Sequence, residues 1–140
     1  MKGRHIMKNQ QGFTLIEIIA VLILLGILAA VAVPKYMDLQ ADAKLKASNS
    51  AMAEGVAMVT QSAAMYLLEK GTVPATFTDI STAANFATGS KAVLPATYDA
   101  GDFTIAFETG TGTAVKVTAT GKAGTSVEGS TVTREVPLVQ

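Results

Sequence analysis

The feature that most constrains this chain is an apolar run from Phe13 to Val33, interrupted by a single charged residue, Glu17. As a helix rising about 1.5 Å per residue, the run would be roughly 30 Å long, which matches the hydrocarbon core of a bilayer. A carboxylate at that depth costs about 3 kcal/mol on insertion scales, so Glu17 needs a partner or a function. The sequence predicts one membrane-spanning helix with a functional acid near its start.

A short basic segment precedes the apolar run. It carries Lys2, Arg4 and Lys8 and no acid, which predicts a cytoplasmic N-terminus and export of the residues after Val33. Eleven Lys plus Arg, less these three, leave eight against eleven Asp plus Glu. A processed chain would therefore be mildly acidic and has no clustered basic surface, so a nucleic acid is not expected as its primary partner.

Missing residue types exclude several kinds of chemistry. The chain has no cysteine, which excludes disulfides and thiolate metal sites, and its one histidine, His5, lies in the basic leader. Histidine-dependent triads and histidine-ligated zinc are therefore excluded from the exported part. We predict no cofactor and no enzymatic activity, and any exported domain must be held together by packing.

The start of the apolar run carries a specific motif. The motif consists of Gly-Phe-Thr-Leu-Ile-Glu at 12–17, followed by Gly-Ile-Leu-Ala-Ala at 26–30 and by Pro34. With these residues the chain resembles type IV pilins and the related pseudopilins over roughly positions 8 to 50. The resemblance implies that a prepilin peptidase cuts between Gly12 and Phe13 and methylates the new N-terminal Phe13. The leader would be residues 1–12, or a shorter form that starts at Met7 instead of Met1.

Cleavage would give Glu17 a partner. It creates an α-amino group on Phe13, and opposite charges attract far more strongly in a low-dielectric environment than in water. The resemblance implies that Glu17 meets the N-terminal amine of a neighbouring subunit and sets the register of a helical homo-oligomeric filament. Thr14 is expected to have a local role, bonding to the first helical turn.

An ordinary secretory signal is the competing interpretation of the same segment. It would be cut at the small residues Ala30-Val31-Ala32, releasing a soluble binding module that begins at Val33. The run is longer than a usual signal core, contains a carboxylate and continues into a second helical pattern after Pro34. N-terminal sequencing separates the two, since a pilin begins at Phe13.

The second half of the predicted helix is amphipathic. Pro34 removes a backbone donor and should kink or loosen the helix near Ala30, while Gly71 is a good helix stop. Asp42 and Lys46, spaced i, i+4, indicate a solvated face. The predicted apolar stripe comprises Met37, Ala41, Leu45, Met52, Val56, Val59, Ala63 and Leu67.

The C-terminal half predicts a small antiparallel sheet packed on this helix, giving an α+β fold like a pilin head. We expect Thr72 to Asp102 to be a connection with one helical turn near Ser81 to Phe86. Without a disulfide, sheet pairing or contacts between subunits must fasten Gly121 to Gln140. The expected strands are Phe103 to Phe107, Val115 to Ala119 after the turn Gly110 to Gly112, and one or two more from Val127 and Thr131 to Val136.

Asp99 and Asp102 flank a glycine and are weak candidates for a calcium site, although the spacing is not that of an EF-hand and equally suits a turn. The predicted segments are a leader (1–12), a membrane and assembly half of the helix (13–33), an amphipathic half (34–71) and a head (72–140).

The function predicted is that of a type IV pilus subunit, with adhesion or motility as its output. Its partners would be further copies, prepilin peptidase and an inner-membrane assembly or secretion platform. The chain would sit in the inner membrane with its head in the periplasm before it enters a surface pilus. The alternative is a pseudopilin of a type II secretion system, which the N-terminal motif does not separate from a pilin.

Overall fold

The computed structural model describes residues 12–87 and 93–138, and it divides into two compact units, one ending at Gln40 and one beginning at Ala41. The elements in chain order are helix α1 (Leu15–Lys70), helix α2 (Phe77–Ser81), a 3-10 turn (Ala83–Asn85) and strands β1 (Thr97–Ala100), β2 (Phe103–Thr109), β3 (Ala114–Gly121) and β4 (Thr131–Pro137).

The described part of the N-terminal unit consists of the first part of α1 and the three residues before it. Its side chains from Phe13 to Gln40 are all exposed, including the apolar ones. The helix is long and apolar enough to cross a membrane, a test of length and composition that an N-terminal signal sequence also passes. Pro34 lies inside the helix, which continues beyond it as predicted, and the loosening near Ala30 stays a prediction.

The C-terminal unit contains a four-stranded antiparallel sheet in the order β1-β2-β3-β4. The predicted hairpin is confirmed: Ile105 of β2 faces Ala119 of β3, and the turn closes with the Gly110 amide donating to the Ala114 carbonyl at 2.9 Å. Gly112 in this turn has a φ of +61°, a conformation that glycine adopts without steric cost. The predicted third strand is β4, whereas Val127 lies in the preceding loop.

The prediction that Thr72 to Asp102 is a connection with one helical turn is wrong in one respect. Thr97–Ala100 forms β1, pairing with β2 so that Tyr98 faces Ile105. This segment is only four residues long and contains Asp and Ala, which rarely favour strands, so its pairing comes from β2. The helical turn expected near Ser81 to Phe86 appears as the end of α2 and the 3-10 turn.

The core lies between the inward face of the sheet and one face of α1. Alternate residues of β2 and β3 are buried, and Ile105, Val115 and Val117 have no exposed surface. The threonines and lysine between them point to the opposite face, as predicted. The residues buried on α1 are Ser48, Ala51, Met52, Gly55, Val59 and Ser62.

The predicted helix stripe was therefore partly wrong. Met52 and Val59 are buried, but Leu45 and Leu67 remain 55% and 44% exposed, and Met37 and Ala41 are exposed too. Small residues take the places expected for large ones because the sheet comes very close to α1. The buried Ser48 hydroxyl is satisfied within the helix, donating to the Lys44 carbonyl at 2.8 Å.

The C-terminal region is fastened without a disulfide, by sheet pairing as expected. β4 pairs with β3 along its whole length, from Thr131 to Pro137. Val127 and Leu138 are buried on either side of this strand, and the Leu138 amide donates to the Thr113 carbonyl at 3.2 Å. Burial of one apolar residue at each end ties β4 to the rest of the unit.

Candidate assembly site at the start of helix α1

Thr14 and Glu17 form a reciprocal cap at the start of α1. The amide and the hydroxyl of Thr14 each donate to Glu17 Oε2 at 2.8 Å. In return the Glu17 amide donates to Thr14 Oγ1 at 3.3 Å and to the Thr14 carbonyl at 3.1 Å. This is the capping box that Thr-x-x-Glu favours, and it satisfies backbone donors that an uncapped helix leaves free.

The cap fixes where the helix begins relative to the predicted cleavage bond. Gly12, Phe13 and Thr14 precede the helix and are not helical, and the Phe13 side chain is 84% exposed. The bond between Gly12 and Phe13 therefore lies in an exposed, non-helical segment, and the capped helix begins directly after it.

The Thr14 contact also explains how a carboxylate in an apolar run is stabilised before any second chain is present. Both contacts from Thr14 end on the same oxygen, Oε2, and the acid lies in the first turn, where the helix dipole favours a negative charge. Thr14 bonds to the first helical turn as expected, and the reciprocal bond from the Glu17 amide was not predicted. The Thr-x-x-Glu spacing was the available signal.

Apolar side chains surround the cap and continue along α1. Among the residues that the structure describes, nothing covers them: Leu15 and Ile16 are 76% and 74% exposed. A Cβ built on Gly26 would meet no atom within 4 Å, so this side of the helix is open to a close neighbour. An apolar surface of this length requires lipid or other protein around it.

The weak calcium candidates lie at the end of β1, which contains Asp99, and in the turn that follows it, which contains Asp102. Asp99 Oδ1 accepts from Lys122 Nζ at 2.6 Å and from the Gly101 amide at 3.1 Å. The hydrogen bond from Lys122, together with its positive charge, lowers the pKa of Asp99. The Asp102 carbonyl accepts from the Lys122 amide at 2.9 Å, so Lys122 joins both residues to the end of β3.

The ammonium group of Lys122 is therefore the cation that Asp99 binds within the chain. Within residues 12–87 and 93–138, no group of three or more Asp, Glu, His or Cys side chains comes together as a metal site. Calcium binding by Asp99 and Asp102 stays a prediction, and a bound ion would have to compete with the Lys122 ammonium. The contacts with Lys122 connect the end of β1 and the turn after it to the end of β3.

A further set of contacts, which the sequence did not predict, lies at the C-terminal end of α1. Glu69 Oε2 accepts from the Ala87 amide at 2.7 Å, and the rings of Tyr66 and Phe86 meet edge to face with centroids 6.3 Å apart. These contacts hold the segment around α2 against the helix. Glu69 and Ala87 are eighteen positions apart, with α2 and the 3-10 turn between them, so no local spacing in the sequence indicated this contact.

The fold and the capped start of α1 define an α+β protein that presents a long apolar helix from its N-terminus. A family model described as the prokaryotic N-terminal methylation motif matches residues 7–33. Two fimbrial proteins of Pseudomonas aeruginosa are each 59% identical to this chain over 32 residues, 23% of this chain and 21% of their own length. No solved structure matches the chain.

The chain therefore carries the prokaryotic N-terminal methylation motif, and its resemblance to type IV pilins is confirmed over this segment. It spans about a fifth of the length of the fimbrial proteins it matches. The match to the family model ends at Val33, the last residue of the apolar run.

Proposed function

We propose that this chain is a structural subunit of a type IV pilus, cut after Gly12 and polymerised through the apolar half of α1. The observation that carries the proposal is the combination of a methylation motif with a helix whose apolar residues are exposed throughout that half. Lipid can cover this surface while the subunit is stored in the inner membrane, and neighbouring helices can cover it in a filament. The chain has a structural role and is not an enzyme.

In the proposed precursor, prepilin peptidase cuts the bond between Gly12 and Phe13 and methylates the new amine of Phe13. The non-helical backbone at this bond supports the assignment. In the proposed filament, Glu17 exchanges its Thr14 donors for the Phe13 amine of an adjoining copy. Each buried charge is then neutralised, which makes this the step that fixes the register between copies.

The basic residues Lys2, Arg4 and Lys8 before the apolar run support export of the C-terminal unit. This unit fastens its last strand by pairing with β3 and contains no cysteine. We place this unit in the periplasm before assembly and on the cell surface afterwards. An inner-membrane assembly platform would supply the partner that extracts the helix from the bilayer.

Mass spectrometry of the mature chain tests the processing step. The proposed function predicts an N-terminus at methylated Phe13, whereas a secreted binding module would begin at Val33. Surface material sheared from cells tests the assembly step, because a pilin must be found there as long fibres. A chain that begins at Phe13 but never appears in sheared fibres would instead support a pseudopilin of a type II secretion system.

A further inference from the structure

An open groove of about 550 Å³ lies between helix α1 and strand β4, inside the C-terminal unit. Val56, Thr60 and Ala63 line its helix side, and Arg134 and Val136 line its strand side. Most of the lining residues are apolar. The two charged ones are Arg134 and Glu135, and the Glu135 carboxylate accepts a hydrogen bond from Thr111. A groove of this composition suits an amphipathic helix that carries an acid.

The groove exists because α1 packs over the middle of the sheet. At Gly55 the helix approaches Ile105 of β2 and Val117 of β3, so the edge strand beside them is only partly covered. Val132 and Val136 on β4 are half-buried as a result. The inward face of β4, an edge strand, is therefore only partly covered by α1.

Arg134 belongs to this inward face. It is opposite Val117 in the β3–β4 register, and paired residues of neighbouring strands share one face of a sheet. In the part of the chain that the structure describes, no carboxylate lies within 4.0 Å of its guanidinium. The adjacent Glu135 points to the other face, where Oε1 accepts from Thr111.

A complementary surface is present on α1 itself. Asp38 is exposed and, among the described residues, makes no salt bridge, whereas Asp42 already pairs with Lys46 at 2.7 Å. Met37, which is 60% exposed, and Ala41 lie one turn apart beside Asp38. This segment offers apolar anchors and one unpaired acid on adjoining positions of a helix.

We propose that the α1–β4 groove receives the part of α1 around Asp38 from a second copy of this chain, with Asp38 paired to Arg134. This proposal rests on the proposed function, since it assigns a contact within the filament. The guanidinium can hold a carboxylate through two parallel hydrogen bonds, which fixes orientation as well as attraction. Met37 and Ala41 then cover the apolar wall, and the ion pair selects the register.

Charge reversal tests the pair. Arg134→Glu and Asp38→Arg are each expected to lower the yield of sheared filaments about tenfold, because like charges then meet in the groove. The double variant restores opposite charges and should recover yield to within about twofold of wild type. Lys70→Glu is the matched control: it reverses an exposed cation outside the groove and should leave the yield unchanged. Membrane levels of each precursor confirm that the variants fold.

Cross-linking gives a second, independent readout because the chain contains no cysteine. Met37→Cys combined with Thr60→Cys should give a ladder of covalently linked copies on mild oxidation of filaments, whereas either substitution alone should not. Normal filaments without a ladder, together with full yield from Arg134→Glu, would overturn the groove contact and leave the pilus function standing. Absence of filaments from the wild-type chain would overturn both.

Discussion

Gly55 of α1 lies directly over Val117 of β3. A Cβ built on Gly55 would be 2.7 Å from Val117 Cγ1 and 3.0 Å from Ile105 Cγ2, both closer than two carbon atoms can settle without movement. The helix reaches the sheet at this distance because Gly55 has no side chain. Its neighbours on the same face, Ser48 and Ser62, are also small and buried.

Gly55→Ala should therefore destabilise the C-terminal unit by about 1–2 kcal/mol. Overpacking costs roughly 1–3 kcal/mol, and the better helix propensity of alanine offsets about 0.5–1 kcal/mol of it. The measurement is thermal unfolding of the full chain in detergent, followed by near-ultraviolet circular dichroism. Gly26→Ala is the control, since nothing lies within 4 Å of its added Cβ.

A double variant tests whether a collision with Val117 causes the loss of stability in Gly55→Ala. Val117→Ala removes the methyl that would collide with the new Cβ, so Gly55→Ala with Val117→Ala should lose less stability than the sum of the two single variants. If Gly55→Ala unfolds at the wild-type temperature or above it, α1 does not approach the sheet as closely as described.

The loop between β3 and β4 depends on Gly121 for a different reason. A Cβ there would collide with the carbonyl oxygen of Val127, and backbone cannot move aside as a side chain can. The Gly121 amide also donates to the Ser130 carbonyl at 2.8 Å, closing the same loop. This contact adds to the β3–β4 pairing that fastens the C-terminal region without a disulfide.

Gly121→Ala should open this loop and destabilise the unit by about 2 kcal/mol or more. Trypsin should then cut after Lys122 several times faster than in wild type, because Lys122 lies at the start of the loop. Ser126→Ala is the matched control: it changes an exposed side chain in the same loop and should leave the cutting rate unchanged. Equal cutting rates for all three chains would contradict the role given to Gly121.

The elements with a regular pattern were predictable from the sequence. Alternation around a glycine turn predicted the β2–β3 hairpin, and Gly71 predicted the end of α1, where its φ is +70°. Both signals are local, since they depend on residues a few positions apart. The capped start of α1 belongs to the same class, because the Thr-x-x-Glu spacing encodes it.

The remaining features depend on contacts between residues that are far apart in the chain, which no local sequence pattern indicates. Large apolar residues such as Leu45 were expected in the core, but the closeness of the sheet at Gly55 favours small ones on that face. β1 forms because β2 offers an edge, and the Glu69 contact with Ala87 forms because the chain returns there. The pairing of Asp99 with Lys122 likewise required the fold.

The ion pair between Asp99 and Lys122 predicts a dependence on pH. The hydrogen bond and charge of Lys122 lower the pKa of Asp99 in the folded chain, below the value of about 3.9 for an unfolded Asp. A carboxyl whose pKa falls on folding adds stability above its unfolded pKa, and this is lost as pH falls through the folded value. The contribution is therefore present at pH 7 and disappears below about pH 4.

Lys122→Met tests this, because it keeps most of the side-chain volume and removes the charge. The carboxyl of Asp99 should titrate at a higher pKa in the variant, which NMR of that carboxyl measures directly. The difference in unfolding free energy between wild type and variant should shrink as pH falls from 5 to 3. Lys70→Met, which lacks a salt bridge among the described residues, should change neither quantity.

Substitutions in the cap between Thr14 and Glu17 can test cleavage and filament docking, the two stages of the proposed assembly, separately. Glu17→Ala removes the charge expected to meet the amine of Phe13 and the two hydrogen bonds that Thr14 donates to the carboxylate. It keeps the hydrogen bond from the amide of residue 17 to Thr14 Oγ1. It should reduce sheared filaments at least about tenfold while leaving cleavage at Gly12 intact, because the scissile bond precedes the helix. Glu17→Ala filaments at wild-type yield would contradict electrostatic docking by this residue.

Thr14→Val isolates the cap, because it removes the hydroxyl donor and keeps the shape and the acid. The Thr14 amide still donates to Glu17 Oε2, so we expect the helix start to weaken by about 1 kcal/mol and no more. Thr14→Ser keeps a hydroxyl and should behave like wild type. If docking depends on the charge of Glu17, filament yield should follow the order wild type, Thr14→Val, Glu17→Ala, because only the last variant removes the group that neutralises a neighbouring amine. A Thr14→Val yield as low as that of Glu17→Ala would instead show that the cap itself is what assembly requires.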